Sequence, residues 1–426
     1  MRRSQAGIWG IAALAGLNVL LWLIFPPESD GRERFVPQMV SEIFSSTGMV
    51  LMACAMVLAL RLRVLEPFFG GLDKMYQAHK VSALAGFVLV LLHFLTIPIS
   101  GESPVGQALG RLALFGFLVL IVLTLAPRIP WIGSPLQLAY HHWRWTHKLI
   151  GVFFILGLVH TFNVKNVLQF AEIPAMYWKI AAYGGAIAYG YRILLAPLLS
   201  RRGAFVVEAA NRLNPSTIEV TLRPDGAKPP QKAGQFLFVR FPSDPLLAEP
   251  HPFTISSAPH EPYLRLSIKA AGDWTKRLYA QLQPGMPAQV DGCYGMFDYT
   301  SGGSRQIWVA GGIGITPFLS WVRSLTSNPS QQIALFYTVR SEHDALFWDE
   351  FVQAANRFPN IQAVLNVSAR DGSLNVERIA SAIGVGLSDY HFYMCGPAAM
   401  TKALTEQLQA RGIARSQIHY EEFNFR

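Results

Sequence analysis

Residues 77–96, QAHKVSALAGFVLVLLHFLT, form an apolar run long enough to cross a membrane, and they carry two histidines, His79 and His93. A second such run, residues 145–162, WTHKLIGVFFILGLVHTF, carries His147 and His160. At the α-helical rise, separations of 14 and 13 residues put the two imidazoles of each run roughly 20 Å apart along the helix axis, one in each leaflet. A polar, ionisable ring in hydrocarbon costs a few kcal/mol unless a partner offsets it, so it marks a functional position. A single histidine on an apolar helix is ordinarily a hydrogen-bonded interhelical residue. Four at matched depths suit the axial ligands of two stacked haems instead. One geometric point stands against this reading. At about 100° per residue, 14 positions return nearly to the starting face, whereas 13 land about 140° from it, so the second helix must be locally over- or under-wound or present its ligands on different sides.

The surrounding composition agrees with a membrane protein. Of 426 residues, 51% are hydrophobic and only 15% charged, too apolar for a soluble chain of this size. Apolar segments near 8–25, 43–60, 81–99, 110–126, 145–162 and 175–199 each approach the ~20-residue spanning length, which predicts a helical bundle of about six transmembrane helices over residues 1–200. The first follows Arg2 and Arg3 but is long for a secretion signal and has no evident small-x-small cleavage site, so it reads as a retained helix. Arg2, Arg3, Arg61, Arg63, Lys74, Lys80, Arg128, Arg144, Lys148, Arg201 and Arg202 fall on one side of the bundle. Arg32, Arg34, Arg111, Lys165 and Lys179 fall on the other, which places the N-terminus and everything after the last helix in the cytoplasm of a multi-pass inner-membrane protein.

The net charge of +9 fits this bias together with the binding of anionic dinucleotides; no basic stripe interleaved with aromatics points to nucleic acid. Cys54, Cys293 and Cys395 form no CxxC and no even framework, so neither disulfides nor a zinc or iron–sulfur site is expected. There is no internal repeat or low-complexity tract.

Composition shifts at Ser200-Arg201-Arg202-Gly203. Short alternating strands follow, such as Phe205–Glu208 and Ile218–Leu222, with turn residues every 8 to 12 positions, and predict a small antiparallel β-barrel over 201–303. From Arg305 onward the pattern is strand, glycine turn, helix, strand, which predicts an α/β domain with a parallel sheet over 304–426. Its first strand, Ile307–Ala310, runs into Gly311-Gly312-Ile313-Gly314-Ile315-Thr316-Pro317, where glycines let backbone amides approach a pyrophosphate at a helix N-terminus.

With these motifs the chain resembles the NADPH oxidases and ferric reductases, the membrane branch of the ferredoxin–NADP reductase superfamily. The most specific element is His251-Pro252-Phe253-Thr254-Ile255-Ser256-Ser257, similar to that branch's flavin motif, in which His and Phe replace the Arg and Tyr of soluble reductases. Leu266–Lys269 followed by Gly272-Asp273-Trp274-Thr275 resembles the second flavin segment. The resemblance implies an FAD site built from His251, Pro252, Phe253, Thr254, Ser256, Lys269, Gly272, Trp274 and Thr275. It implies a nicotinamide dinucleotide site at Gly311, Gly312, Gly314, Thr316 and Pro317, with Cys395, Gly396 and Pro397 near the nicotinamide.

Asp291-Gly292-Cys293-Tyr294-Gly295 is similar to the family's Gly-Pro-Tyr-Gly turn, with Cys293 in place of proline. The C-terminal Tyr420-Glu421-Glu422-Phe423-Asn424-Phe425-Arg426 resembles the Tyr-Glu-x-Phe ending of flavohaemoglobins, in which the aromatic covers the flavin; Phe423 takes that role here, with Phe425 as alternate. Cys395, Glu421 and Phe423 are thus the candidate catalytic residues. Arg340 and Arg370 sit where the family binds the 2′-phosphate, and guanidinium suits phosphate as a bidentate donor, favouring NADPH over NADH. The resemblance also pairs His79 with His147 on an inner haem and His93 with His160 on an outer one.

The expected activity is transfer from cytosolic NADPH through FAD and two b-type haems to an external acceptor, O2 giving superoxide or, alternatively, a ferric chelate. No calcium-binding or regulatory extension is evident, which suggests a constitutively active enzyme without an obligatory protein partner. A nucleotide-regulated transporter or sensor is the reading from another class.

Overall fold

The computed structural model describes residues 3–98, 103–126, 138, 140–196, 203–384 and 386–421. The chain divides into two compact units, Met1–Ser200 and Arg201–Arg426.

The first unit is helical: α1 Ala6–Ile24, α2 Phe35–Leu58, a single turn α3 Glu66–Phe69, α4 Leu72–Thr96, α5 Pro104–Leu125, α6 Tyr140–Lys148, α7 Ile150–Phe162 and α8 Glu172–Gly190. Among the described residues five stretches are long and apolar enough to cross a membrane: Ala6–Ile24, Phe35–Leu58, Leu72–Thr96, Pro104–Leu125 and His142–Phe162. The expected sixth span is helical as α8, continued by a π-helical turn over Tyr191–Leu195. Its Gly and Ala residues, with Glu172 and Lys179, make it less apolar than the five.

Helices α2, α4 and α5 begin well before the apolar runs that announced them. Their first turns carry polar residues, Gln38 and Ser41 in α2 and Asp73 and Lys74 in α4, which a hydropathy window discards although the backbone is already helical.

Small residues let the helices approach closely, as packing without a hydrophobic driving force requires. A Cβ on Gly185 of α8 would lie 2.9 Å from Ala53 of α2. Helix α1 is the peripheral one, burying only Asn18 and Trp22. Asn18 Nδ2 donates to Ser46 Oγ and Thr47 Oγ1, both at 2.9 Å, and Trp22 Nε1 donates to Ser46 Oγ at 3.1 Å.

In the second unit, six antiparallel strands run in the order β4-β3-β6-β1-β2-β5: β1 Gly203–Asn214, β2 Thr217–Pro224, β3 Phe236–Arg240, β4 His251–Thr254, β5 Leu264–Lys269 and β6 Pro287–Tyr294. A bridge between Ile255 and Leu266 joins the two edges and closes the sheet into the expected barrel. The β1–β2 hairpin turns at Pro215-Ser216, where the Asn214 side chain accepts from Ser216 N, an Asx turn. Helix α9, Asp273–Gln281, packs Leu278 into the barrel core.

Five parallel strands follow in the order β11-β10-β7-β8-β9: β7 Arg305–Gly311, β8 Gln332–Val339, β9 Ile361–Val367, β10 Tyr390–Cys395 and β11 Ile418–Glu421. Helices α10 Thr316–Arg323, α11 Trp348–Arg357, α12 Val376–Ile383 and α13 Ala398–Ala410 alternate with them. Successive β7 residues point into opposite cores, Trp308 and Ala310 into one and Ile307 and Val309 into the other, so both sheet faces are covered. Strand order reverses between β7 and β10. In such sheets the crevice at the carboxyl ends of those two strands is where ligands bind.

Candidate functional site

In the helical unit α2 lies antiparallel to α4 and holds both of its histidines. His79 Nδ1 donates to Ala55 O at 2.8 Å, and His93 Nδ1 donates to Ser41 O at 3.0 Å. Helix α5 serves the second pair. His160 Nδ1 donates to Gly106 O at 2.7 Å, and His147 Nδ1 stands 3.5 Å from Thr124 Oγ1. That hydroxyl spends its own proton on Leu120 O, so toward His147 it is an acceptor. A carbonyl only accepts, so each anchored Nδ1 carries the proton and the Nε2 lone pair is the one presented to a metal.

In one of the expected pairs the two rings lie close together. His79 and His147 have ring centres 6.3 Å apart, with planes at 63°. Two imidazoles facing through one metal at about 2.0–2.1 Å per bond stand roughly that far apart.

Helix α6 ends and α7 begins at Leu149, between the two histidines. Leu149 N bonds Thr146 O and Val152 N bonds Leu149 O, three-residue closures that tighten the helix and add rotation per residue. Over-winding is the sense needed to bring His160 round toward the face of His147.

In the barrel, His251 and Phe253 of β4 both stack on Trp274 at the start of α9, at 4.4 Å and 5.7 Å between ring centres. Pro252 pairs with Phe238 of β3. Ser256 Oγ accepts from Ser267 Oγ, and Thr275 Oγ1 accepts from Ala271 N and Gly272 N, shaping the turn that opens α9. Lys269 and Gly272 are exposed beside it. Thr254 Oγ1 and Trp274 Nε1 are buried without a hydrogen-bond partner among the described residues. Buried polar atoms are rarely left so, and a flavin docked on this strand would supply partners.

In the crevice between β7 and β10 the glycines do two different things. A Cβ on Gly314 would lie 2.3 Å from Cys395 O, and one on Gly311 would lie 2.7 Å from Pro397 Cδ. These two let the Gly311–Pro317 turn nest on the Cys395-Gly396-Pro397 turn. Gly312, at φ +52°, faces open space and is the one placed to receive a ligand. Thr316 and Pro317 are buried at the start of α10.

Cys395 is fully buried and lies in register beside Glu421, itself buried. Burial, reinforced by the Glu421 charge, pushes the Cys395 thiol up, so at neutral pH it is a protonated, inert sulfur. Glu421 reaches back toward the barrel, where a Cβ on Gly295 would sit 3.5 Å from its Oε1. Phe423 and Phe425 lie outside the described residues.

At the carboxyl ends of β8 and β9, Arg340 and Arg370 are neighbours, Ala369 N bonding Arg340 O at 3.3 Å. Arg340 is exposed and forms no ion pair among the described residues. Arg370 is paired with Glu342 at 2.7 Å and Asp371 at 2.8 Å. The sequence points to the four histidines and the motif residues but not to what holds them: Ser41, Ala55, Gly106, Thr124, and the clamp from Arg323 and Ser320 of α10 to the carbonyls of Ser256 and Ser257. A carbonyl partner leaves no mark in a sequence.

The sequence profile described as an FAD-binding domain matches residues 204–302, and that described as an oxidoreductase NAD-binding domain matches 308–406. A superoxide-generating NADPH oxidase heavy chain of Dictyostelium discoideum is 28% identical over 358 residues, covering 69% of this chain and 66% of its own. The chain carries the FAD-binding and NAD-binding domains of an NAD(P)H oxidoreductase and is similar to NADPH oxidases. Mouse NADPH oxidase 1 is 35% identical to this oxidoreductase over 153 residues, 32% of this chain and 25% of its own. The oxidoreductase thus spans less than two thirds of the length of these relatives. A flavohemoglobin from Malassezia yamatoensis, solved with bound FAD and heme, shares the fold at a TM-score of 0.51 and 17% identity, over 96% of this chain and 99% of its own.

Proposed function

We propose that the oxidoreductase carries electrons from cytosolic NADPH across the cell membrane to an acceptor outside, dioxygen in the first place, giving superoxide. The observation that carries the proposal is the set of four histidines of the helical unit, His79 and His147 with ring centres 6.3 Å apart, and each of the four held through Nδ1 so that Nε2 is left to ligate. FAD supplies the conversion between a two-electron hydride and single electrons, and haem supplies one-electron carriage. On this reading His79 and His147 hold the inner haem and His93 and His160 the outer, leaving no open iron position for the acceptor.

His251, Phe253 and Trp274 form an aromatic wall for the flavin, and the opening of α9 offers backbone amides to its pyrophosphate. Gly312 admits the dinucleotide, and Arg340, with Arg370, takes the 2′-phosphate. The Cys395 thiol packs beside the nicotinamide without ionising, and Phe423 covers the flavin until nicotinamide displaces it. The excess of Arg and Lys near one set of helix ends supports an N-terminus and a nucleotide-binding unit on the cytoplasmic side of an inner membrane.

The test is NADPH-driven reduction of cytochrome c by the purified, FAD-supplemented protein, with and without superoxide dismutase. Inhibition by the dismutase is the expected result, and reduction that ignores it identifies a ferric-chelate type of direct transfer. In the same preparation H93A or H160A abolishes reduction of external acceptors while NADPH still bleaches the flavin; transmembrane transfer surviving either change overturns the relay.

A further inference from the structure

Glu42 of α2 is a buried carboxylate, 5% exposed, inside a helix apolar and long enough to span the membrane. An ionisable group in such a place is functional by default. It neither ligates nor belongs to any motif used above. Its two oxygens accept from Val167 N at 3.0 Å each, from Leu168 N at 2.9 Å, and from Gln38 Nε2 at 2.8 Å. Gln38 extends the network: its amide also donates to Lys165 O at 3.1 Å and accepts from Arg32 Nη1 at 2.8 Å. One turn of α2 therefore grips the whole segment 165–168, which leaves α7 just beyond His160.

The neighbouring residue grips the other histidine. Ser41 O accepts from His93 Nδ1, and Ser41 Oγ donates to His93 O, both at 3.0 Å. Residues 41 and 42 thus tie together the two polypeptide segments that carry His93 and His160. Only a carboxylate offers acceptors alone, on both oxygens, to three N–H groups. An amide turns a donor toward at least one of them, and a hydrocarbon orphans all three.

We propose that Glu42 is a positioning residue of the outer electron-exit site: it straps residues 165–168 against α2, and through them sets how His160 faces His93 and how the acceptor reaches that end. The inference rests on the four histidines holding haem, and its test separates the two. Full-length E42Q and Q38A proteins are purified beside wild type. Redox titration and low-temperature electron paramagnetic resonance resolve the two haems, and hydrogen exchange reports the Val167 and Leu168 amides.

In E42Q both amides exchange at least tenfold faster, and the outer haem's midpoint and g-values shift while the inner haem's do not. The acceptor KM changes at least threefold with flavin reduction by NADPH intact. Q38A, which removes one donor, shifts the same readouts in the same direction by less and decides the matter if E42Q does not assemble. Outer-haem signals and acceptor KM unchanged in the variants overturn the role, leaving Glu42 a structural tie. Absence of two haem signals in the wild-type protein sinks the parent reading instead.

Discussion

Gly48 of α2 and Gly86 of α4 meet backbone to backbone: a Cβ on Gly48 would lie 2.8 Å from Gly86 O, and one on Gly86 would lie 2.7 Å from Gly48 O. The contact stands midway between the two bonds by which α2 orients the histidines of α4. It is seven residues from Ser41 and from Ala55 on one helix, and seven from His79 and from His93 on the other. The helices thus run in strict antiparallel register, and the glycine crossing sets the separation at which both carbonyls reach both imidazoles.

Gly86→Val tests that relationship. The new side chain meets Gly48 O and Met52 Cγ, the latter at 2.9 Å from the added Cβ, and can be accommodated only by parting the helices. Overpacking of this kind costs about 1–3 kcal/mol. The expected outcome is lower thermal stability together with reduced haem content at both depths, read from the b-type absorbance of the purified protein. Loss of stability with full haem content removes the glycine crossing from the site.

Cofactor choice depends on two unequal arginines. Arg340 is exposed and unpaired among the described residues, so Arg340→Ala should raise KM for NADPH about tenfold, the scale of one charged hydrogen bond, and leave NADH unaffected. Arg370 is held by Glu342 and Asp371, and the pair with Glu342 is exposed and therefore weak. Arg370→Ala should therefore cost less than Arg340→Ala, and Glu342→Gln, by releasing the guanidinium, should lower KM for NADPH. Steady-state rates with both nucleotides check all three.

Alkaline pH should act through Cys395. Its folded pKa is raised by burial and then by Glu421, so the folded state keeps a proton that the unfolded thiol releases above about pH 8.5. The stability this thiol contributes is fully present below that pH and is lost as pH rises toward the folded value. Cys395→Ala should flatten the fall in melting temperature above pH 8.5, and the native thiol should resist alkylation at pH 7.5. Rapid modification of the folded protein at that pH contradicts the assignment.

Sequence alone determined which residues are unusual: His79, His93, His147 and His160 in hydrocarbon, His251–Ser257 and Gly272–Thr275 as flavin motifs, Gly311–Pro317 after a strand. It also announced the parallel sheet beginning at Arg305 and the antiparallel strands before it. Side-chain polarity against its surroundings and the period of apolar residues are local properties, and a chain displays them before it folds. What the tertiary structure alone decided is what those residues touch. Helix starts shifted outward because backbone hydrogen bonding continues into polar turns. The tightened turns at Leu149, between His147 and His160, are announced by no residue pattern. Gly311 and Gly314 proved to admit the Cys395-Gly396-Pro397 turn, leaving Gly312 for the ligand. The carbonyls of Ala55, Ser41 and Gly106 belong to residues of no special type, so their role exists only once helices are brought together. Glu42 carries no mark in the sequence, because its three N–H donors lie four and more than a hundred residues away and only the folded chain gathers them.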